Sequence, residues 1–220
     1  MNILFISLGC DKNLVDSEKM LGLLVSKGYE VTDDEEQADV IVINTCCFIH
    51  DAKQESVDNI LEMAEYKKNG RAKALIVTGC LAERYREEIQ KEIPEVDVVL
   101  GTTAHDKIVE AIEAALEGKR QLWMEDLKAL PRVGAKRQVT TGGHYAYLKI
   151  AEGCDRHCTY CIIPKIRGPY RSVPMEELLA EAEELAAQGV KELILVAQET
   201  TLYGIDIYGG KRLPELLRRL

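Results

Sequence analysis

Three cysteines stand within eight residues in the stretch CDRHCTYC, at positions 154, 158 and 161. Thiolates are soft ligands, and a group of them in one loop points to metal or redox chemistry rather than packing. A structural zinc site is usually tetrahedral with four protein ligands, and no fourth cysteine lies near this loop. An iron–sulfur cube has four irons, so three thiolates leave one iron open for a substrate or cofactor. The spacing C-x3-C-x2-C therefore reads as an iron–sulfur loop with Cys154, Cys158 and Cys161 as metal ligands. His157, inside the loop, reads as a spacer, because imidazole would serve a place already taken.

Four cysteines remain: 10, 46, 47 and 80. A lone cysteine is usually a small buried hydrophobe. Here, however, SLGC, INTC and VTGC each close an apolar run. Cys10, Cys46 and Cys80 thus fall just past the carboxyl ends of three expected parallel strands, the edge where open α/β sheets bind ligands. The gaps of 36 and 34 residues suit strand-helix-strand steps. Three thiols far apart in sequence are expected to converge on one metal site. Gly9 and Gly79 directly precede two of them and permit tight turns. Cys47 adjoins Cys46, and neighbouring side chains diverge in extended chain. At most one of the pair joins the site, and register alone does not say which.

These positions require strands to hold them. ILFISL (3–8), VIVIN (40–44), ALIVTG (74–79) and DVVLG (97–101) are short apolar runs that read as buried strands. Helices are expected over 15–28, capped by Asp16 or Ser17, over about 50–68, over 81–93 before Pro94, and over 105–118. Alternation of this kind implies α/β architecture, a Rossmann-like parallel sheet covered on both faces. Residues 119–143 mix charges, glycines and Pro131, and read as a linker with a basic stretch of Lys128, Arg132, Lys136 and Arg137. A second unit follows: a strand over 145–153, the cysteine loop, a helix over 175–189, a strand over 192–198, and a further helix before Leu220. One β-loop-α-β unit cannot close a barrel, so the chain reads as part of a longer protein. The expected domains are 1–118, a linker at 119–143, and the start of a partial barrel at 144–220.

The net charge of −9 argues against broad non-specific nucleic-acid binding. No apolar run approaches the roughly 20 residues of a membrane span, and the first ten residues do not read as a signal peptide. A cytoplasmic location follows as the default, with no membrane or DNA partner expected.

Cys154, Cys158 and Cys161, with Tyr160 just before the last, resemble the signature loop of radical S-adenosylmethionine enzymes. That likeness implies a 4Fe–4S cluster at the start of a β/α partial barrel, whose open iron chelates S-adenosyl-L-methionine, with Tyr160 near the adenine. LGCDKNLVDSE, VINTCCFIHDA, VTGCLAERY and AQETTLYG narrow the resemblance to the methylthiotransferases, in the branch that modifies a ribosomal protein. The resemblance implies a second 4Fe–4S cluster on Cys10, Cys46 and Cys80, carrying the sulfur donor. It implies methylthiolation of the β-carbon of an aspartate in a small-subunit ribosomal protein, driven by a low-potential electron donor. Many superfamily members have a Gly-Gly-Glu-like motif at the second strand end; Gln198 and Glu199 stand there, and one or the other is expected to meet the cofactor amino group, unless this is a polar strand end facing solvent. Lys165, Arg167 and Arg171 are candidates to meet the cofactor carboxylate or an acidic target, or else form a solvated loop. Asn44 and Thr45 are candidate donors to cluster sulfurs. Rival readings are the same chemistry on a tRNA adenosine, and a non-catalytic iron–sulfur or zinc module.

Overall fold

Strands whose residues are apolar on both faces can be satisfied only in the middle of a covered sheet. β3 (Val40–Thr45) and β4 (Ala74–Gly79) are buried at every residue and lie at the centre of a parallel sheet. The computed structural model describes residues 1–130 and 136–220, which divide into two compact units, Met1–Arg137 and Gln138–Leu220.

In the first unit the order is β2-β1-β3-β4-β5-β6, with β1 at Asn2–Ser7, β2 at Glu30–Thr32, β5 at Val98–Leu100 and β6 at Gln121–Trp123. Every pairing is parallel. The helices are α1 (Asp11–Ser26), α2 (His50–Asn69), α3 (Cys80–Tyr85), α4 (Glu87–Glu92) and α5 (Ile108–Leu116). Met20 and Leu24 of α1 pack with Ile108 and Ile112 of α5 over Ile3, Val42, Ile76 and Val98 of the sheet.

Four expectations are corrected here. α1 starts at Asp11, not 15, because Cys10 is its N-cap and the Leu14 N–H donates to the Cys10 carbonyl at 3.0 Å. Asp16 and Ser17 are therefore buried inside the helix and cap nothing. The helix expected over 81–93 breaks at Arg86, whose φ of +40° is left-handed; the Arg86 guanidinium holds this turn by donating to the Glu83 carboxylate at 2.8 Å. Gln121–Trp123 is a strand, although it falls in the stretch expected to be a linker. Arg137, expected to be a solvated linker charge, is 5 % exposed. Pro131 and Arg132 lie outside the described residues.

The second unit pairs β7 (Tyr145–Lys149) with β10 (Glu192–Val196) in parallel, joined through α7 (Met175–Ala187). This is the strand-helix-strand step expected for a β/α barrel. β8 (Ala151–Glu152) pairs antiparallel with β9 (Arg171–Ser172) and ties the cysteine loop back at its base. Short helices α6 (Ile163–Ile166), α8 (Ile205–Tyr208) and α9 (Leu213–Arg219) complete the unit. Leu148, Ile150, Met175, Leu178, Tyr203 and Leu216 form its core. No helix among the described residues is long and apolar enough to cross a membrane.

Candidate metal centres

The sheet register aligns Ser7 with Asn44 and Asn44 with Thr78. Cys10 lies three residues beyond the first, Cys46 two beyond the second and Cys80 two beyond the third. With all three strands parallel, the three cysteines emerge at the same edge of the sheet. Cys46 and Cys80 are buried and Cys10 is exposed.

Close backbone approaches bring the loops together. A Cβ on Gly9 would lie 2.7 Å from the Cys46 Cβ and 3.0 Å from its Sγ, so the segment before Cys10 rests directly on Cys46. Gly79, with φ of +91°, leaves no room for a Cβ, which would sit 2.3 Å from Asn44 Oδ1 and 2.5 Å from the Thr45 carbonyl. The Thr45 hydroxyl donates to the Thr78 carbonyl at 2.5 Å, a short bond. Ser56, fully buried on α2, bonds both the N–H (2.9 Å) and the carbonyl (2.8 Å) of Cys46. Asn44 and Thr45, candidate donors to sulfur, spend their donors on protein: Asn44 Nδ2 donates to the Asn13 carbonyl and to Ser17 Oγ.

The structure separates Cys46 from Cys47. Cys46 faces Gly9, whereas the Cys47 thiol donates to the Cys80 carbonyl at 3.2 Å. Cys46 is the better placed to join Cys10 and Cys80. Among the described residues no three His, Cys, Asp or Glu side chains gather closely enough for a single metal ion. By its chemistry, a set of three thiolates at one sheet edge suits an iron–sulfur cube, in which each thiolate binds a different iron.

At the second site Gly153, with φ of +77°, lets the turn at 168–169 press against the start of the cysteine loop; a Cβ there would lie 2.1 Å from the Pro169 carbonyl. The Cys154 N–H donates to the Gly168 carbonyl at 3.1 Å and the Arg156 N–H reaches Cys154 Sγ at 3.4 Å. N–H bonds to a ligating sulfur favour thiolate and set cluster potential. Cys154 is buried, Cys161 half-buried and Cys158 exposed, so the loop presents thiols outward from an anchored base. Tyr160 is 85 % exposed and free to cover a ligand.

At the end of β10, Gln198 donates its amide to Glu152 Oε1 at 2.6 Å, while its own Oε1 has no partner among the described residues. Glu199 is occupied differently. The Thr201 hydroxyl, then the Thr201 N–H and the Arg156 guanidinium, hold its carboxyl below the usual range, and it caps the turn at Thr200–Leu202. Arg167 and Arg171 are not a solvated loop: both are buried. Arg167 Nη1 meets Glu152 Oε2 at 3.2 Å, and Arg171 donates to the carbonyls of Pro169 and Arg167. Lys165 alone of the three is exposed.

Sequence reasoning missed Glu152, Lys149 and Asn13. Glu152 takes Lys149 Nζ at 2.7 Å as well as Arg167 and Gln198, and so links the first strand, the cysteine loop's return and the end of β10. The signal was two charges inside the apolar run YLKIAEG, since buried charges persist only when paired. Asn13 carried a weaker signal, an amide three residues past Cys10 where a helix begins.

Known proteins resemble the chain in two segments. Residues 2–101 match the Uncharacterized protein family UPF0004 and residues 148–220 match the Radical SAM superfamily. A protein named ribosomal protein uS12 methylthiotransferase RimO from Lachnoclostridium phytofermentans is 66 % identical over 220 residues, all of this chain and 50 % of the relative. The protein of the same name from Acetivibrio thermocellus is 53 % identical over 222 residues, covering 98 % of this chain and 49 % of the relative. That from Clostridioides difficile is 51 % identical over 214 residues, covering 97 % and 48 %. The chain spans about half the length of the curated relatives it matches. Both segments are matched in order and the identity runs from end to end, so along its whole length the chain is similar to the first half of radical S-adenosylmethionine methylthiotransferases.

Proposed function

We propose that this chain carries the two iron–sulfur centres of an enzyme that methylthiolates the β-carbon of an aspartate in ribosomal protein uS12. The observation that carries the reading is the common sheet edge of Cys10, Cys46 and Cys80, in a chain that also bears the Cys154–Cys158–Cys161 loop. Each set supplies three thiolates, one fewer than a cube's irons. When bound, the clusters and S-adenosyl-L-methionine supply the one-electron and radical chemistry that replaces a C–H bond by C–S–CH3.

The chain's own groups bind and orient. Gln198 Oε1, fixed by the bond from its amide nitrogen to Glu152, is an acceptor for the cofactor's ammonium group. Tyr160 offers an aromatic face to the adenine. Glu199, tied to Arg156 and Thr201, shapes the rim rather than offering a free carboxylate. One centre falls to each unit, the strand-end cysteines to Met1–Arg137 and the cysteine loop to Gln138–Leu220. A reducing cytoplasm suits a chain with seven cysteines grouped for metal binding. The partners are the ribosomal protein and a low-potential electron donor.

Anaerobic loading with iron and sulfide tests the reading. The chain is expected to take up two clusters' worth of iron, and Cys154→Ala with Cys158→Ala and Cys161→Ala to halve it. Unchanged iron in that variant would sink the assignment. Turnover is tested on the full-length enzyme, since this chain alone is not expected to turn over: with reductant and S-adenosyl-L-methionine, mass spectrometry of uS12 is expected to show one methylthio group on one aspartate. A methylthiolated tRNA adenosine instead would move the substrate to the rival branch, and iron uptake without cofactor cleavage would leave only a binding module.

A further inference from the structure

The three strand-end segments meet at one amide. Asn13, on the first turn of α1, is fully buried. Its Nδ2 donates to the Leu8 carbonyl at 2.8 Å and to the Thr45 carbonyl at 2.9 Å. Its Oδ1 lies 3.9 Å from Cys80 Sγ. Its Nδ2 is also 3.5 Å from where a Cβ on Gly9 would stand. One side chain thus touches the turn leading to Cys10, the strand end leading to Cys46, and the thiol of Cys80. Its main-chain carbonyl accepts from Asn44 Nδ2 at 3.0 Å, which fixes the backbone from which that side chain projects.

These are not the contacts of an ordinary helix-start amide, which bonds its own helix. The partners are 5, 32 and 67 residues away in sequence. A side-chain amide has two N–H donors and one acceptor oxygen, and here both donors and the oxygen are directed at different cysteine-bearing segments. Outer groups that orient metal ligands govern affinity and electronic structure without touching the metal.

We propose that Asn13 is the positioning residue of the strand-end iron–sulfur site, holding the segments that bear Cys10, Cys46 and Cys80 at the spacing one shared cluster needs. The proposal rests on the reading of those cysteines as cluster ligands. It acts through two carbonyls and the flank of one thiol, so its loss changes how tightly and in what shape the cluster is held.

The test uses this chain with Cys154→Ala, Cys158→Ala and Cys161→Ala, so that only the strand-end site loads. Iron and sulfide are added anaerobically, and two quantities are read: the rate at which a ferrous chelator strips the iron, and the electron paramagnetic resonance spectrum after reduction. Asn13→Ala is expected to release iron about tenfold faster or more, with displaced g values and an unchanged circular dichroism spectrum. Asn13→Ser, which keeps one donor on a smaller side chain, carries the test if the alanine variant does not fold. Ile112→Ala, a buried truncation on α5, is expected to lower stability yet keep the parental spectrum and release rate. Variants at Asn13 that match the parent in both readouts overturn the proposal while the cysteine assignment stands. A parent that takes up no iron defeats the cysteine assignment itself, and the proposal with it.

Discussion

Arg137 and Glu18 form an ion pair across 119 residues of sequence, with Arg137 Nε 2.7 Å from Glu18 Oε2. Their side chains are 4 % and 0 % exposed. Gly22, one turn on from Glu18 in α1, makes the approach possible: a Cβ there would lie 2.0 Å from the Lys136 carbonyl. The last residues of the first unit are therefore strapped onto its first helix. Removing one partner breaks a buried ion pair, so Arg137→Ala or Glu18→Ala is expected to cost about 3–5 kcal/mol. Arg71→Ala, whose pair with Asp39 leaves the arginine 56 % exposed, is expected to cost about 0–1 kcal/mol. Chemical denaturation of the three variants decides, and equal losses would refute the strap.

Gly79 precedes Cys80 with φ of +91° and ψ of −159°, a conformation almost confined to glycine. An added Cβ also collides with Asn44 and Thr45. Gly79→Ala is expected to cost about 3 kcal/mol or more, strain and overpacking together. Gly28→Ala, at φ of +86° with nothing within 4 Å, carries the strain alone, about 1 kcal/mol. Thermal unfolding distinguishes the two, and a mild Gly79→Ala would show that the strand-end turn can relax.

The two adjacent thiols should behave differently. Cys46→Ala is expected to abolish iron uptake at the strand-end site when the triplet is absent, because Cys46 faces the turn before Cys10. Cys47→Ala is expected to retain it, since that thiol is spent on the Cys80 carbonyl. Iron analysis after desalting reads both, and the opposite pattern would exchange the roles.

The second unit is expected to lose stability in alkali. Burial first, then the charges of Asp206 and Glu199, push the Tyr170 hydroxyl up to about 12; burial raises Tyr203 as well. A raised folded pKa means that the folded state keeps the proton more tightly. The contribution is whole below the unfolded value of about 10 and is lost as pH rises through about 12. Tyr170→Phe is expected to flatten this part of the profile, measured as the unfolding midpoint against pH. An unaltered slope would assign the alkaline loss elsewhere.

Much of the frame was legible because the central strands open on continuous apolar runs, Val40–Ile43 and Ala74–Val77. Residues 74–79 stand as read, and 40–44 gains only Thr45. Their spacing also led Cys10, Cys46 and Cys80 to one edge. What escaped depended on partners distant in sequence. Ser17 looks like a cap, yet its hydroxyl bonds Ser7 and Asn44 across the sheet end. Arg137 looks like a solvated charge until Glu18 is placed beside it. Glu30–Thr32 and Gln121–Trp123 are three residues each and none of them is fully buried, too short for a periodic signal. The choice between Cys46 and Cys47 needed the position of Gly9.

The strand Gln121–Trp123 also decides where the first unit can be cut. Val98–Leu100 is wholly buried and pairs with Gln121–Trp123 on its outer side. A chain ended at Gly118 would leave that apolar strand with bare N–H and C=O groups, a template for a second molecule. Such a truncation is expected to self-associate in light scattering, while one ended at Arg137 stays monodisperse. Three modest residues thus act as a selvedge, keeping the sheet from being extended by its neighbours.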